Sequence, residues 1–502
     1  MPAAETAPAS AGMVPVPAAT GPAMAEPATA PVGTTPAPGA VREALALSAL
    51  AGDSAVMPNA VFERWFAERQ AREGFTVRRI PLEAMDGWHF APDTGDLRHD
   101  SGHFFAVEGL RVRTGDGGPG ACWEQPVISQ REIGVLGFLV AEFDGVWHFL
   151  VQAKTEPGNV NTVHLAPTVQ ATRSNLMGVH QGRGPHHAEH FVAPSAGRVL
   201  VDSLQSERGS WFLRKRNRHM VVVADPRDVA GHEDFCWLTL GQIRRLLGRD
   251  NLVSMEASSV LACLSYEVDE AAARDGYGAA LLRSLAPAAP TVHSTPALVS
   301  AVNEIKARTR VEQQSIPLAE VGGGWRRADG ALGRSDGRYF GITGAEVWAA
   351  SREVGHWAQP LLVPAPGGVC ALLTRAVDGV LHVLLHARSE AGLLDVVELC
   401  PTVQCTPSNH RHLPERQRPR FLREVLGAPP ARVRYDVMVS EEGARFDRAE
   451  NRYLVVEAPD DLGDVPDDYV WVSLAQAGEL LGRGYFLNMQ ARTLLAALHA
   501  VW

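Results

Sequence analysis

The stretch Leu165-Ala-Pro-Thr-Val-Gln-Ala-Thr-Arg-Ser-Asn175 returns 234 positions later as Leu399-Cys-Pro-Thr-Val-Gln-Cys-Thr-Pro-Ser-Asn409. Each copy is polar and has a central proline, which predicts an ordered loop rather than a helix face or an alternating strand. Ordered loops often hold binding and catalytic residues. The repeat therefore indicates a duplicated fold with a candidate site in each copy.

The repeat extends well beyond these two loops. The turn signal Asp144-Gly145 matches Asp378-Gly379, and Asn217-Arg218 matches Asn451-Arg452. From Trp123 onward the two copies align without a gap. An ungapped match of this length predicts a tandem duplication of one domain, because the units of a solenoid are far shorter.

Each copy shows the patterns of both strands and helices. Apolar runs over 133–143 and 146–153 flank the turn signal Asp144-Gly145 and predict a β-hairpin, which the second copy repeats. Helices are predicted over 239–247 and 474–481. The predicted fold class is α+β, with two tandem modules that each contain a mixed sheet flanked by helices.

The length of 502 residues exceeds what one ordinary core requires, which agrees with two modules. An apolar fraction of 46% and a charged fraction of 21% are those of a globular protein. We expect a disordered Pro/Ala-rich tail over 1–40, a first module over 41–283, a linker over 284–296 and a second module over 297–502.

Charge and hydropathy exclude several classes of protein. The formal net charge of −10 argues against a nucleic-acid binder, which usually has a basic surplus. The sequence contains no run of 18 apolar residues, so no membrane span is predicted. The tail lacks the cationic start and apolar core of a signal peptide. The six scattered cysteines suggest reduced thiols, and we therefore expect a cytoplasmic protein.

Charged pairs follow the second hairpin strand in both copies. Lys154 and Glu156 in the first copy correspond to Arg388 and Glu390 in the second. Side chains two residues apart on a strand point to the same side. The two pairs are therefore candidates for a site in each module.

The shared polar residues of the repeated loop have two readings that the sequence leaves open. They either bind a ligand or hold a buried hydrogen-bond network, since a lone buried polar group costs about 1–3 kcal/mol. The residues in question are Thr168, Gln170, Thr402 and Gln404. A basic run over 214–218 has the same ambiguity, because it suits either a solvated face or a diphosphate held by guanidinium groups.

Two other patterns resemble sites and are assigned to ordinary structure. His186, His187 and His190 resemble a metal cluster, but their Gly/Pro-rich surroundings and lack of a counterpart in the second copy favour a solvated loop. The run over 322–324 is three glycines without a following Lys-Ser/Thr pair, so it does not predict a phosphate loop.

Several long segments of this sequence, referred to below as words, resemble one enzyme family, the NDP-hexose 2,3-dehydratases of deoxysugar biosynthesis. The words in the first copy are Val151-Gln-Ala-Lys-Thr-Glu-Pro-Gly158, Pro167-Thr-Val-Gln-Ala-Thr172 and Asp202-Ser-Leu-Gln-Ser-Glu-Arg-Gly-Ser-Trp-Phe-Leu-Arg-Lys-Arg-Asn-Arg218. Those in the second are Glu398-Leu-Cys-Pro-Thr-Val-Gln-Cys-Thr-Pro407, Ser440-Glu-Glu-Gly-Ala-Arg-Phe446 and Glu450-Asn-Arg-Tyr453. The resemblance covers roughly residues 60 to 502.

The resemblance implies two Nudix-like modules, a homodimer and action on a nucleoside-diphosphate-4-keto-6-deoxyhexose, typically the thymidine diphosphate sugar. It implies loss of the carbon-2 hydroxyl and carbon-3 hydrogen as water. The resulting enol becomes a 3,4-diketo-2,6-dideoxy sugar, which a partner 3-ketoreductase traps for antibiotic biosynthesis. The carbon-4 ketone already acidifies the carbon-3 hydrogen, so we expect neither a metal nor another cofactor.

This chemistry needs a base, a cation or donor facing the enolate oxygen, and an acid for the departing hydroxide. We expect Glu156 or His164 to transfer protons, with Lys154 and Arg173 facing negative charge. Lys215, Arg216 and Arg218 are expected to hold the diphosphate. The remaining candidates for substrate binding are the polar residues shared by the two copies, namely Gln170, Thr172, Asn175, Glu207, Asn217, Arg388, Glu390, Gln404, Thr406, Asn409, Glu441, Asn451 and Arg452. Of the two copies, we favour the first as the active site.

The sequence departs from the expected patterns at two places. A Nudix pyrophosphohydrolase needs an Arg-Glu-x-x-Glu-Glu helix, and this chain has only the fragment Arg423-Glu-Val-Leu426, so diphosphate hydrolysis is not expected. Near the end of the first module the family resemblance leads us to expect Asn-Met-Asp-Thr-Arg-Thr. The chain has Ser254-Met-Glu-Ala-Ser-Ser259, which lacks an arginine at Ala257 or Ser258, whereas the second copy keeps Asn488-Met-Gln-Ala-Arg-Thr493.

Two alternatives to the dehydratase remain. One is a non-catalytic nucleotide-sugar-binding protein on degenerate Nudix modules. The other is a metal-dependent hydrolase that uses His186, His187 and His190.

Overall fold

The structure is a computed structural model that describes residues 38–72, 74–115, 121–176, 184–194, 198–350 and 354–502, without the side chains of Arg173 and Ser174. Most of the predicted tail over 1–40 therefore lies outside the described residues. None of the helices in the described ranges is long and apolar enough to cross a membrane.

Helices lie mainly at the start and end of each copy. Among the described residues they are α1 (Pro38–Leu50), α2 (Asn59–Gln70), α3 (Arg173–Leu176), α4 (Glu189–Val192), α5 (Leu240–Leu246), α6 (Met255–Leu261), α7 (Gly276–Leu285), α8 (Thr295–Arg308), α9 (Leu422–Leu426), α10 (Leu474–Arg483) and α11 (Met489–Leu498).

The strands of the first copy are β1 (Phe75–Ile80), β2 (Trp88–Phe90), β3 (Leu97–His99), β4 (Ala106–Thr114), β5 (Cys122–Ser129), β6 (Gly134–Phe143), β7 (Val146–Thr155), β8 (Val163–Ala166), β9 (Val169–Ala171), β10 (Val199–Ser206), β11 (Arg216–Val223) and β12 (Phe235–Thr239).

Their counterparts in the second copy are β13 (Val311–Ile316), β14 (Trp325–Ala328), β15 (Ala331–Arg334), β16 (Phe340–Ala349), β17 (His356–Pro364), β18 (Gly368–Val377), β19 (Val380–Ser389), β20 (Val397–Pro401), β21 (Val403–Cys405), β22 (Val433–Ser440), β23 (Glu450–Glu457) and β24 (Tyr469–Ser473).

Each copy builds one seven-stranded mixed sheet with the same strand order. In the first copy the order is β10-β11-β6-β7-β12, with β8 paired to β7 and β9 to β6. The pair β6–β11 is parallel and the hairpin β6–β7 is antiparallel. The second copy repeats this arrangement as β22-β23-β18-β19-β24. The α+β class with two repeated modules is thus confirmed.

Two smaller sheets exchange strands between the copies. Strand β1 of the first copy pairs with β16 of the second, and β13 of the second pairs with β4 of the first. The described residues all fall within one compact unit. Because the exchanged strands are integral to both smaller sheets, the two copies are physically interlocked.

The copies are also joined by a shared core. Helices α6 and α11 pack against each other, and one apolar cluster contains buried residues of both large sheets, including Phe138 and Tyr453. Both side chains are fully buried. The closing helix of each module therefore stabilises the other module as well.

The predicted hairpin strands and the helices after β12 and β24 are confirmed to within a few residues. The repeated loop differs from its prediction, since residues 165–175 include β8, β9 and α3. Its turn is fixed by Thr168, whose hydroxyl accepts from the Leu139 amide at 2.9 Å and donates to the Leu150 carbonyl at 2.5 Å. Thr402 makes the same two bonds in the second copy, at 2.9 and 2.5 Å. The structural role that the sequence left open is therefore the observed one for both threonines.

Candidate functional site

A large cavity opens on the first copy, with a volume of about 1270 Å³. This volume exceeds the range of roughly 300–1,000 Å³ that is typical of sites for drug-sized ligands, so a nucleotide sugar has room to bind. Its walls come from the large sheet of the first copy, the smaller sheet that contains β4, and the second-copy segment 442–445. The cavity is therefore a composite of both copies.

An ion pair lies on the cavity wall where β7 ends. Lys154 Nζ is 2.9 Å from the Glu156 carboxylate, and the Gln170 amide donates to the same carboxylate at 3.3 Å. The Glu156 side chain is almost fully buried, so its carboxylate is held in a fixed position. Lys154 and Glu156 thus point to the same side, as their spacing predicted, and form an ion pair.

His164 is placed by strand pairing, since it lies directly opposite Lys154 across β7 and β8. Its Nε2 atom is 3.7 Å from the Glu156 carboxylate. Burial is the main cause that lowers the pKa of His164 to about 4, with the nearby Glu156 opposing the shift. His164 is therefore neutral at neutral pH and supports Glu156 from behind the cavity wall.

A second charged group lies at the ends of β10 and β11. Asn217 donates to the Glu207 carboxylate at 2.6 Å, and Lys215 donates to the Glu132 carbonyl at 2.5 Å. Burial, reinforced by the Glu442 carboxylate, raises the pKa of Glu207 to about 7. Burial also lowers the pKa of Lys215. Lys215 therefore brings a largely desolvated amino group to the cavity.

Glu256 lies in the first turn of α6, which is fixed by the Ser254 hydroxyl accepting from the Ala257 amide at 3.1 Å. The side chain is 3% exposed and lines the cavity. Burial raises the pKa of Glu256 well above its usual value, and the carboxylates of Glu156, Glu442 and Glu207 raise it further. A carboxyl group whose surroundings favour its protonated form thus lies near the Lys154–Glu156 ion pair.

Second-copy residues enter the site because two loops meet at glycines. The Gly158 amide donates to the Gly443 carbonyl at 2.8 Å, and a Cβ at Gly158 would lie 1.7 Å from the Phe446 carbonyl oxygen. This close approach brings Glu442 and Arg445 to the cavity. Burial raises the pKa of Glu442, whereas the nearby Arg445 opposes that shift.

Aromatic and basic side chains line another part of the cavity. His99, Phe104 and Trp357 line the cavity together with Arg131. Phe104 is 53% exposed, and its ring lies 4.4 Å from that of His99. Exposed aromatic rings beside a cation suit the base and diphosphate of a nucleotide.

The equivalent residues of the second copy bond to one another. The Glu390 carboxylate accepts from Gln404 at 2.7 Å and from the Ser210 amide at 3.0 Å. Arg388 donates to the Gln404 carbonyl at 2.7 Å. Glu441 forms an ion pair with Arg208 and accepts from Asn451. Much of this network matches the first copy, where Gln170 donates to Glu156 and Lys154 to the Gln170 carbonyl at 3.5 Å. The second copy differs in having Arg208 at the position of Glu442.

Four replacements account for much of the difference between the copies. Within the modules, Glu398 stands at the position of His164, Ala449 at that of Lys215 and Gln490 at that of Glu256. The fourth replacement concerns the loop that each copy extends towards the other, where Arg208 of the first copy is the counterpart of Glu442. Three of the changes remove groups that line the cavity of the first copy, and the change at His164 removes the imidazole behind its wall. The two copies therefore differ at more positions around the site than the sequence analysis identified.

Some of the other predicted site residues line the cavity and some lie outside it. Thr172 and Asn175 line the cavity. Arg216 and Arg218 do not line it: Arg216 donates to the Tyr485 hydroxyl at 3.3 Å, and Arg218 is held by Asp202. The side chain of Arg173 lies outside the described part of the structure.

Three second-copy candidates also make local contacts. Arg452 is held by Asp436, the counterpart of the Arg218–Asp202 pair. The Asn409 side chain accepts from the Tyr339 amide at 3.4 Å. Thr406 directly precedes the 3₁₀ turn Pro407–His410.

The arginine missing from the first copy belongs to a structural position. Its second-copy counterpart Arg492 is fully buried and donates to Ser259 at 2.6 Å and to the Ser206 carbonyl at 2.5 Å. At the equivalent position Ser258 bonds the Ser254 carbonyl within α6. The departure therefore changes packing between the copies rather than the cavity surface.

The prediction of a solvated loop for the histidine group is wrong for one of its members. His187 is only 4% exposed, and its ring packs 4.8 Å from that of Phe235. The loop is held down by Phe191, which lies against Gly137 in β6. The apolar anchor explains the burial, and a phenylalanine four residues after His187 was the available signal.

Sequence reasoning missed Glu256, Glu442 and Arg445 as cavity residues. The word Ser440-Glu-Glu-Gly443 drew attention to Glu441, the repeat counterpart of Glu207. Its neighbour Glu442 has an arginine as counterpart and so gave no repeat signal.

Comparison with known proteins identifies one family in both halves of the chain. The model of the NDP-hexose 2,3-dehydratase family matches residues 59–264 and again residues 295–498. The two matched segments correspond to the two copies of the repeat.

Curated relatives are similar over nearly the whole chain. A protein from Saccharopolyspora spinosa named dTDP-4-dehydro-6-deoxy-alpha-D-glucopyranose 2,3-dehydratase is 44% identical over 461 residues, covering 91% of this chain and 94% of that protein. A protein of the same name from Amycolatopsis orientalis is 46% identical over 460 residues, covering 91% and 93%. Another from Streptomyces violaceoruber is 46% identical over 451 residues, covering 89% and 98%.

Proposed function

The chain belongs to the NDP-hexose 2,3-dehydratase family, and from that membership we propose that its substrate is dTDP-4-dehydro-6-deoxy-α-D-glucopyranose, the sugar nucleotide in the names of its relatives. The resemblance seen in the sequence is confirmed, and the protein is a dehydratase. One observation carries the assignment of the site: the cavity of about 1270 Å³ contains the Lys154–Glu156 ion pair close to Glu256, whose pKa burial raises well above its usual value.

The reaction removes water across carbons 2 and 3. A base takes the proton from carbon 3, and the electrons pass to the carbon-4 ketone as an enolate. The enolate then expels the carbon-2 hydroxyl, which leaves with a proton as water. The resulting enol accepts a proton at carbon 2 and becomes the 3,4-diketo-2,6-dideoxy sugar. The steps balance without an oxidant or a reductant.

Glu156 is the base in this proposal and Glu256 the acid. The Lys154 ammonium at 2.9 Å favours the ionised form of Glu156. Burial and three neighbouring carboxylates keep Glu256 protonated. Two carboxyl groups whose surroundings favour opposite protonation states form a natural acid–base pair. Gln170 holds Glu156 in position with a hydrogen bond of 3.3 Å, and His164 lies 3.7 Å from the same carboxylate.

The cations of the cavity divide between two charges of the substrate. Lys154 faces the enolate oxygen, and Lys215 with Arg445 faces the diphosphate. The choice of Lys215 is supported by the nearby Glu207 and Glu442, whose carboxylates oppose the lowering of its pKa by burial. A desolvated ammonium interacts more strongly with a phosphate than an exposed one.

The second copy supports the first rather than catalysing the reaction. It lacks three groups of the first cavity, since Ala449 stands at the position of Lys215, Gln490 at that of Glu256 and Arg208 at that of Glu442. Its contribution to the site is the loop that carries Glu442 and Arg445.

The experiment is incubation of the pure protein with dTDP-4-dehydro-6-deoxy-α-D-glucopyranose and a 3-ketoreductase in deuterated water. Mass spectrometry should detect loss of one water and a solvent deuterium at carbon 2. Measurable binding of the sugar nucleotide without water loss would favour the alternative, a non-catalytic nucleotide-sugar-binding protein. The Glu156→Gln protein is the control for uncatalysed elimination.

The assembly around the enzyme is also part of the proposal. A 3-ketoreductase consumes the unstable diketo product in the cytoplasm, and two chains form a homodimer with no nucleic acid or membrane involved. Light scattering at two protein concentrations tests the dimer, because a mass of one chain at both would exclude it.

We place the start of the second Nudix-like module at α7. Ser284 of α7 donates to the Leu381 carbonyl at 2.5 Å, just as Ser48 of α1 donates to the Trp147 carbonyl at 2.5 Å. The linker between the modules then lies before α7, and the residues between α7 and α8 belong to the second module, as those between α1 and α2 belong to the first.

A further inference from the structure

Three potential metal ligands lie together outside the acid–base group. His187, Glu189 and His190 each offer one ligand atom, and these atoms all lie within 4.8 Å of one another. Glu189 and His190 lie in α4, and His187 lies two residues before Glu189. Two imidazoles and a carboxylate form a donor set that suits Zn²⁺ and its neighbours among the transition metals.

The two imidazoles have an unused nitrogen. His187 is 4% exposed, and its Nε2 atom has no hydrogen-bond partner among the residues that the structure describes. The same holds for Nε2 of His190, whose side chain is 15% exposed. Buried ring nitrogens normally have a partner, so two unpartnered nitrogens close together point to a bound species.

The ligands are held on a rigid support. Phe191 is buried and lies against Gly137, where a Cβ would come within 2.3 Å of its ring. This contact fixes α4 on β6. His187 adopts a left-handed backbone conformation with φ of 64°, and its ring packs against Phe235. The Glu189 side chain is 70% exposed, so it can swing towards the imidazoles, and water can fill a fourth position.

We propose that His187, Glu189 and His190 bind a divalent transition metal of the zinc class at the edge of the cavity. His186, the residue before the first ligand, lines the cavity and packs against His232, with the ring centroids 4.1 Å apart and the rings tilted by 44°. The metal therefore clamps the segment 184–194 and positions His186 beside the substrate. It takes no part in the proton transfers.

The test uses cobalt as a visible probe of the site. Full-length protein is stripped with a chelator, incubated with Co²⁺ and desalted. Wild type should retain one Co²⁺ per chain by elemental analysis and show ligand-field bands of low-coordinate Co²⁺. His190→Ala should lose both signals. His293→Ala, which removes an exposed imidazole of the second copy, should retain both.

Because removal of a buried histidine can disturb folding, Glu189→Gln provides a second, exposed variant. It should release Co²⁺ at a lower concentration of competing chelator than wild type, with an unchanged circular dichroism spectrum. Wild-type protein that leaves the desalting column without cobalt would overturn the site. Equal retention by wild type, His190→Ala and Glu189→Gln would overturn it as well. None of these readouts depends on dehydratase activity.

Discussion

Lys154 Nζ lies 2.9 Å from the Glu156 carboxylate on the wall of a cavity that Glu256 and Glu442 also line, whereas the positions equivalent to Glu256 and Glu442 near Arg388 and Glu390 hold Gln490 and Arg208. The same charged pair thus has two further carboxyl groups around it in one module and an amide and a guanidinium in the other. This relationship predicts different consequences for equivalent substitutions.

Glu156→Gln should lower kcat by about two to four orders of magnitude, because an amide cannot accept the carbon-3 proton. The measurement is the initial rate of water loss in the coupled reductase assay. Glu390→Gln is the matched control in the second copy, and it should change the melting temperature more than kcat. Comparable losses of kcat in both variants would contradict a single site in the first copy.

Glu256→Gln should also lower kcat, by about 10²–10⁴-fold, because it removes the proton for the departing hydroxide. Wild-type activity should decline at high pH as Glu256 ionises, since its raised pKa keeps it protonated only below that value. The variant should lack this alkaline decline. Glu256→Asp retains a carboxyl and should recover part of the rate, and its failure to do so would move the acid elsewhere.

Lys215→Gln should raise KM by about 10–150-fold, which corresponds to the 1.5–3 kcal/mol of a hydrogen bond to a charged group. Arg218→Gln is the control, because Arg218 is held by Asp202 outside the cavity. Isothermal titration with dTDP separates binding from turnover. An equal loss of affinity in the two variants would show that the diphosphate lies elsewhere.

Gly158→Ala should destabilise the protein and reduce activity together. Its Cβ would lie 1.7 Å from the Phe446 carbonyl oxygen, so the loop carrying Glu442 has to move. Thermal unfolding should show a lower melting temperature, with a cost of roughly 1–3 kcal/mol from overpacking. Gly231→Ala, where a Cβ meets nothing within 4 Å, is the control and should behave as wild type.

Glu398→Gln should make the protein more stable than wild type at pH 8 but not at about pH 5. Burial raises the pKa of Glu398 to about 7 from a usual 4.5. Between these values the folded state holds a proton that the unfolded state has released, so wild-type stability falls as pH rises. The amide avoids this loss, on the order of 1–3 kcal/mol, and still accepts from Ser206.

The measurement is the difference in melting temperature between variant and wild type at the two pH values. Glu415→Gln is the exposed control, with a side chain 76% accessible, and its difference should be the same at both. A Glu398→Gln difference that does not grow with pH would show that Glu398 is already ionised in the folded protein.

The sequence predicted the hairpins and the Lys154–Glu156 pair because both follow from the period-two geometry of a strand. It placed Lys215, Arg216 and Arg218 together because they are adjacent in the chain. Strand β11 separates them, since neighbouring side chains point to opposite faces. Lys215 and Asn217 face the cavity, and the two arginines face away from it.

The sequence did not predict that Glu442 and Arg445 line the cavity, for a different reason. Their position depends on how the loop 440–446 of one copy meets Gly158 of the other, which no local pattern encodes. The exchange of β1 and β13 has the same origin, because pairing between segments that are far apart in the chain leaves no periodic signal.

That exchange has a consequence for the history of the chain. A gene shortened by one copy would leave β4 without its neighbour β13 and β1 without β16. The surviving half would expose unpaired strand edges, which promote aggregation. Selection can therefore let the second copy lose its chemistry residue by residue, as at Ala449 and Gln490, while it cannot discard the domain that carries those losses.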